Sequence, residues 1–500
     1  MAINVPKQQQ ETRKKINKLR YEEYYNQQPL LDGLYARSKD GKKFTNLIPL
    51  ITSEANILLA YRSIKRNGGS LTPGIDGRTI QDIEKLEPAQ VVETIRKRLI
   101  NYVPGQVRRK EIPKPNGKTR PLGIPCIWDR LIQQCILQIL EPICEARFSD
   151  NSYGFRPLRS AENAIAAEMR LINQSKLYFI VEIDIKSFFD EVNHKKLLRQ
   201  LWTIGIQDKK LLAVIKSILK APIRMPDNAV QYPNKGTPQG GILSPLLANV
   251  VLNELDQWVD SQWQNNPVTK KYSVRYRKNG SPDKTAGYEA MKKTRLKEMR
   301  VIRYADDVRI LCRTQNQAER TAVAVKQWLN ERLKLQVSEE KTRVVNVKRQ
   351  YSEFLGFKLK AERKAGKWVV QSHVQDKAIQ RGKEKLKEQI KKIQRPKDKG
   401  NQAGEICKYN AMVRGLHNYY AIATQVSSDF AKIKWEIDCV LKNRLGKALS
   451  KNGAIGKKSR DYLKYGKSDQ TRYVGGAWIL PIGTAALPSG NDGYKSVFQK

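Results

Sequence analysis

The sequence predicts an α+β protein in which short, strongly apolar strands come first and a largely helical part follows. Three observations predict it. The run LYFIVEID, Leu177 to Asp184, is a mostly apolar segment of strand length that ends on an acid. The stretch RYADDVRIL, Arg303 to Leu311, sets Asp306 and Asp307 between two β-rich runs, Val301 and Ile302 before and Val308, Ile310 and Leu311 after, as in a hairpin with a double acid at its tip. After Leu359 the composition shifts, and Lys377 to Gln394 places Ile379, Leu386, Ile390 and Ile393 near one face of a helix whose other positions are nearly all charged or amide.

The remaining elements follow in order. Ser53 to Lys65 carries helical periodicity through Ile57, Leu58, Tyr61 and Ile64 and stops at Asn67-Gly68-Gly69. Arg108 to Arg120 holds six basic residues and one acid around the turn formers Pro113, Pro115 and Asn116-Gly117, which predicts a basic hairpin. Pro267 to Arg300 is a Lys- and Arg-rich insertion, read either as a solvated segment or as a phosphate contact. Gln394 to Gly404 is a loop, the helical part ends near Gly466, and the remainder, with Gly475-Gly476, Pro481, Pro488 and Gly490, reads as a tail without strong periodicity.

Charge narrows the partners. The chain of 500 residues has 93 Lys and Arg against 49 Asp and Glu, a net charge of +44, which is the footprint of a protein that binds a polyanion. No run approaches the roughly 18 consecutive apolar residues of a spanning helix, and the first twenty residues have no apolar core for a secretory signal. A membrane is therefore not expected as a partner, and a cytoplasmic location, bacterial or organellar, is. The six cysteines, Cys126, Cys135, Cys144, Cys312, Cys407 and Cys439, lack zinc-site spacing and read as reduced small hydrophobes. His194, His373 and His417 are too scattered for histidine-based metal or triad chemistry.

The acids point to metal. Two adjacent carboxylates on a rigid apolar hairpin repel each other unless a cation lies between them. Neighbouring strand residues face opposite ways, so Asp306 and Asp307 cannot serve one ion equally, and Asp184 is the third carboxylate that completes the set. Such oxygens suit paired Mg²⁺ ions in phosphoryl transfer.

These segments resemble one family. VEIDIKSFFDEVNH (Val181 to His194), GTPQGGILSPLLANVVLNELD (Gly236 to Asp256) and RYADDVRIL look like the palm of a reverse transcriptase of the kind encoded by group II introns. EIPKPNGKTRPLGIP (Glu111 to Pro125), NSYGFRPLRSAENAI (Asn151 to Ile165), LNERLKLQVSEEKTRVV (Leu329 to Val345) and EFLGFKL (Glu353 to Leu359) match further segments in the same order. LTPGIDGRTI (Leu71 to Ile80) resembles the family's N-terminal extension and VRGLHNYY (Val413 to Tyr420) its maturase domain.

The resemblance implies a right-hand polymerase. Residues 1–100 would form a basic helical extension whose first 45 residues need RNA to settle, 101–360 fingers and palm, 361–466 a helical thumb and maturase domain, and 467–500 a Gly/Pro-rich tail that could be a short DNA-binding remnant. Asp184 and Asp306 would ligate two Mg²⁺ with help from the Ile185 carbonyl, and Asp307 more weakly. Lys114 and Arg120 would reach the incoming triphosphate. Phe189 would exclude a 2′-hydroxyl by volume, with Phe188 left to the core, and Gln239 would lie in a turn where backbone approaches the nucleotide. Phe354, Leu355 and Gly356 resemble a primer grip, with a core strand as the competing reading. Arg414, His417, Tyr419 and Tyr420 could hold intron RNA or equally be core.

The implied function is RNA-directed DNA synthesis joined to binding, splicing and copying of a group II intron, with an RNA template, a DNA primer, deoxynucleoside triphosphates and target DNA as partners. A related reverse transcriptase used in phage defence or in a diversity-generating element is one alternative, and a splicing factor with little polymerase activity another. No Cys follows Cys439 and no His follows His417, so an HNH endonuclease is not expected in this chain.

Overall fold

In the computed structural model, residues 21–113, 117, 119–268, 275, 276, 278, 280, 282, 283, 285–396, 398, 400–466 and 468–483 are described. A four-stranded sheet lies at the centre, in the order β10-β3-β9-β8, with β3 at Phe179–Asp184, β8 at Met299–Tyr304, β9 at Asp307–Cys312 and β10 at Arg343–Asn346. All its pairings are antiparallel. Alternation along the strands divides the hydrophobic residues between two cores. Val181, Ile183, Val301, Val308, Ile310 and Cys312 face the first core, and Ile180, Ile302, Leu311 and Val345 the second.

The first core is built on the Ile127–Glu145 helix, whose Leu131, Ile132, Cys135, Ile136 and Ile139 are fully enclosed. Helices Gln28–Lys39, Glu54–Lys65 and Pro88–Ile100 add Leu34, Ile57 and Ile95, so the described part of the N-terminal region shares one core with the central sheet. The helix expected over 53–65 is present with Ser53 as its N-cap, and the chain leaves it before Gly68. The basic hairpin is also present, as β1 (Val107–Pro113) paired with β2 (Thr119–Ile124). It extends into a second sheet through β4 (Ile223–Arg224) and β5 (Val230–Gln231).

The insertion contributes regular structure among its described residues. It carries a two-stranded ladder, β6 (Arg275–Tyr276) with β7 (Pro282–Asp283), and a helix at Thr285–Lys292. Tyr288 stacks on Trp263 at 6.2 Å and lies under the Arg300 guanidinium.

The second core joins the far face of the sheet to the C-terminal part. β11 (Ser352–Phe354), β12 (Phe357–Lys364) and β13 (Lys367–Val374) form an antiparallel meander, so the boundary expected at 360/361 falls inside a strand. Helices Asp376–Gln394, Gln402–Tyr419 and Val426–Leu445 follow, and the first buries Ile379, Leu386, Ile390 and Ile393, the stripe seen in the sequence.

One expectation is corrected here. The chain beyond 466 is not simply a tail, because β14 (Arg472–Val474) and β15 (Ala477–Ile479) make a hairpin turned by Gly475-Gly476. Both glycines have positive φ, as a two-residue hairpin turn requires. Val474, Ile479, Leu480 and Ile482 are buried in the second core. No helix among the described residues is long and apolar enough to cross a membrane.

Candidate active site

The acids gather where β3 ends and the β8–β9 hairpin turns. Asp184 and Asp307 are direct partners across the antiparallel ladder. Two residues back along the same face Glu182 pairs with Arg309, and two further Ile180 pairs with Leu311. The face thus runs from apolar pair to ion pair to acid pair. The hairpin turn is Ala305-Asp306, with Tyr304 paired to Asp307. Asp306 is therefore a turn residue, and the strand alternation expected to separate it from Asp307 does not apply to it.

A tight brace holds that turn. Ala305 adopts φ +57°, a left-handed conformation that costs a non-glycine residue free energy. Its carbonyl accepts from Arg303 Nη1 at 2.8 Å. Arg303 is fully buried and donates Nε and Nη2 to Asp256 at 2.7 to 3.0 Å and Nη1 to Asn249 Oδ1 at 2.9 Å. On the other side Gly154 lies so close that any side chain there would strike the Ala305 backbone. Asn249 Nδ2 donates to the Gly154 carbonyl at 2.9 Å, tying that loop to the same helix, Ser244–Gln262.

A second buried arginine offsets the acids. Arg309 donates to Glu168 at 2.9 Å, Glu182 at 3.2 Å and Ser352 Oγ at 2.5 Å, and its guanidinium lies 4.3 Å from the centre of the Phe354 ring. Crowding by protein pushes the Asp307 carboxyl up to about 6; Arg309 pulls it down, while Asp306, Glu182 and Asp184 push it further up. Asp306 is raised too, first by burial and then by Asp184, with Arg120 and Lys341 opposing. Lys341 Nζ donates to Asp184 Oδ2 at 3.0 Å.

The acids thus interact as one electrostatic unit. Hard carboxylate oxygens crowded in this way are a donor set suited to Mg²⁺, which would remove the repulsion felt by Asp306 and Asp307. Among the described residues no group of three His, Cys, Asp or Glu side chains closes around a common point for an ion. Ile185 is buried and forms an isolated bridge to Val337. That bridge uses the Asp184 carbonyl and the Lys186 N–H, at 2.8 Å each, rather than the Ile185 carbonyl.

The expected nucleotide contacts fall into a chain of polar links. Arg120 Nε donates to Gln239 Oε1 at 3.2 Å, and Gln239 Nε2 to Asp190 Oδ2 at 3.4 Å. The Gln239 carbonyl accepts from Gly123 N at 2.5 Å, fastening the basic hairpin to the loop that leads into the Ser244–Gln262 helix. Lys114 lies outside the described residues. Phe188 is buried, as expected of a core residue, whereas Phe189 is half-buried and meets Phe188 edge-on at 5.3 Å.

Leu355-Gly356 is the two-residue turn between β11 and β12, both at positive φ, while Phe354 is buried. Tyr419 Oη donates to the Leu355 carbonyl at 2.9 Å, and the Tyr420 hydroxyl occupies the space a side chain at Gly356 would need.

The proposed RNA contacts in VRGLHNYY need correction. His417 is 1% exposed, with Nδ1 at 2.7 Å from Tyr465 Oη and Nε2 at 2.8 Å from the Ile482 carbonyl. Tyr420 is buried against Phe357 and Phe430. Arg414 donates to Asp461 at 2.9 Å, and of the four only Tyr419 keeps a substantial exposed surface. The segment packs the helical region onto the β11–β12 turn, which is the core reading. Arg303, Asp256, Glu168 and Arg309 were not foreseen as site residues. The available signal was a charged residue inside an otherwise apolar strand, which demands a buried partner.

Comparison with known proteins agrees with this geometry. Residues 112–359 match the family model described as reverse transcriptase (RNA-dependent DNA polymerase). Protein YkfC of Escherichia coli (strain K12) is 32% identical over 363 residues, covering 69% of this chain and 91% of that protein. The group II intron-encoded protein LtrA of Lactococcus lactis subsp. cremoris is 32% identical over 351 residues, 64% of this chain, which spans 57% of LtrA's length. Nuclear intron maturase 2, mitochondrial, of Arabidopsis thaliana is 29% identical over 175 residues, 27% of this chain and 23% of that protein. The chain belongs to the family of group II intron-encoded reverse transcriptases and maturases.

Proposed function

We propose that the chain extends a DNA primer along an RNA template and assists the splicing of the intron RNA that it copies. The observation that carries the polymerase reading is the Asp184–Asp307 cross-strand pair with Asp306 on the adjoining turn, in a chain of net charge +44. In this reading the β1–β2 hairpin serves as fingers, the central sheet as palm, and the helices from 376 to 445 as thumb and maturase domain.

Asp184, Asp306 and Asp307 would hold two Mg²⁺, with the Ile185 carbonyl assisting. Bound there, the ions would stabilise charge on the attacking and leaving oxygens of nucleotidyl transfer. The protein's own residues do the rest. Arg303, Asp256 and Gly154 fix the turn that carries Asp306, so that little reorganisation remains when substrate arrives. Arg120 and Lys114 supply cations for the triphosphate, and an arginine can meet phosphate oxygens with two parallel N–H bonds. Phe189 presents a ring against the sugar, which selects deoxynucleotides, and Phe354 to Gly356 form a turn suited to gripping the primer. The excess of lysine and arginine holds intron RNA, template and target DNA through their phosphates.

The test is primer extension on an RNA template with Mg²⁺, beside a splicing assay with the flanking intron. Asp306→Ala should abolish deoxynucleotide addition and leave RNA affinity nearly unchanged. Appreciable extension by that variant would overturn the assignment.

A further inference from the structure

A groove lies between the N-terminal segment and the helices that follow the Phe188–Glu191 turn. It has a volume of about 560 Å³ and is lined by Thr45, Asn46, Ile48, Pro49, Trp202, Gln207, Asp208, Lys209 and Lys210. That is within the roughly 300–1,000 Å³ of ordinary small-ligand sites.

Its walls are preformed. Phe44 N donates to the Gly205 carbonyl and Gln207 N to the Phe44 carbonyl, both at 2.8 Å, which locks the N-terminal segment beside the end of the His194–Ile204 helix. Asp208 is buried, and its carboxylate accepts from Leu47 N at 2.7 Å, Ile48 N at 3.3 Å and Leu211 N at 3.0 Å. The only acid in the lining is thus saturated from within. The remaining charge is cationic, from Lys209 and Lys210, both exposed.

Trp202 is 40% exposed in this groove, a large share for a side chain that is highly buried on average. An indole face, an apolar wall of Ile48 and Pro49, and two lysines fit one chemistry well: a planar base attached to a phosphate.

We propose that this groove takes an unpaired nucleotide of a bound RNA strand, its base stacked on Trp202 and its phosphate neutralised by Lys209 and Lys210. A stacked base contributes affinity without reading sequence, and it requires that the strand be unpaired, because a duplex hides the faces of its bases. The groove therefore gives the protein a preference for single-stranded segments over helices, which the general positive charge cannot give. The inference rests on the RNA-binding reading above and adds a site to it.

The experiment measures binding of the full chain to a fluorescent single-stranded RNA of about 20 nucleotides and to a duplex of the same length. Fluorescence anisotropy at fixed salt is the readout. Trp202→Ala should weaken single-strand binding by about tenfold, the scale of one lost base–aromatic stack, and leave duplex binding within about twofold. Trp202→Phe should restore most of the loss. Lys209→Ala with Lys210→Ala should weaken binding and reduce the salt slope for the single strand by about 0.7, the value for one phosphate no longer neutralised. The circular dichroism spectrum and the melting temperature of Trp202→Ala should match those of the unaltered protein, which shows that the variant is folded. Equal loss on single strand and duplex, or no loss on either, overturns the groove assignment and leaves RNA binding standing. Failure of the unaltered protein to bind RNA at all would overturn both.

Discussion

Arg303 and Asp256 form a fully buried ion pair, and the same guanidinium that chelates the carboxylate also holds the carbonyl of Ala305, the residue before Asp306. An arginine in a strand of Val301 and Ile302 is costly to bury, and its position explains its presence: it converts helix packing into placement of the turn that carries Asp306.

Removing one partner should expose that cost. Asp256→Asn or Arg303→Ala should destabilise the protein by about 3–5 kcal/mol, since either leaves an uncompensated buried group. Denaturant unfolding checks the magnitude. Arg303→Lys retains the charge but cannot reach Asp256, Asn249 and the Ala305 carbonyl together, so nucleotide addition should fall further than stability does.

The pH dependence of the acid cluster has a definite sign. Asp307 titrates at about 6 in the folded protein, above the ordinary carboxylate value, so between roughly pH 4 and 6 the native state binds more protons than the unfolded one. The metal-free protein should therefore lose stability from this group as pH rises through that window. Protons compete with cations for the same oxygens, so the increase in melting temperature given by Mg²⁺ should grow from pH 5 to pH 7. In Asp307→Asn both trends should be weaker; an unaltered pH profile would remove Asp307 from the metal-binding set.

Sugar selection is the third prediction. Phe189→Ala should admit ribonucleotides by opening space beside the 2′ carbon, measured as incorporation from competing nucleotide pools. Phe188→Ala should instead cost about 3–5 kcal/mol of stability, because Phe188 is buried and its removal leaves a cavity. If discrimination is the same in Phe189→Ala as in the unaltered protein, the ring serves only to pack against Phe188.

Much of this site was legible in the sequence because its signals are local. An apolar run ending in Asp184, a hairpin with Asp306-Asp307 at its tip and a glycine-rich Gly236-to-Gly241 turn each announce their geometry within a few residues. The unread parts depend on distant pairing. Nothing near Arg309 in the chain reveals that Glu168 lies 2.9 Å away across 141 positions, or that Arg303 meets a helix 47 residues earlier. The hairpin at 472–479 was missed for another reason: its strands are three residues each, too short for alternation to be visible, and only the Gly475-Gly476 turn marks them. VRGLHNYY was ambiguous because aromatic residues serve both RNA contacts and cores, and burial settled it for His417 and Tyr420.

That burial gives the last prediction, which concerns acid sensitivity. His417 lies between the Tyr465 hydroxyl and the Ile482 carbonyl, and burial lowers its pKa to about 4. Its unfolded value is about 6.5, so between those limits the unfolded state binds the extra proton and stability rises with pH. The neutral ring contributes stability that is fully present above about pH 6.5 and is lost as pH falls toward 4, amounting to about 3 kcal/mol over the interval. His417→Gln keeps a donor and an acceptor but cannot titrate. It should lower stability at pH 7 and flatten the acid limb between pH 4 and 6.5, read from urea midpoints at several pH values. Because the Ile482 carbonyl comes from the segment after β15, Leu480→Ala should cost a further 2–5 kcal/mol or about that. An acid limb as steep in His417→Gln as in the unaltered protein would mean that other groups govern the opening of the second core.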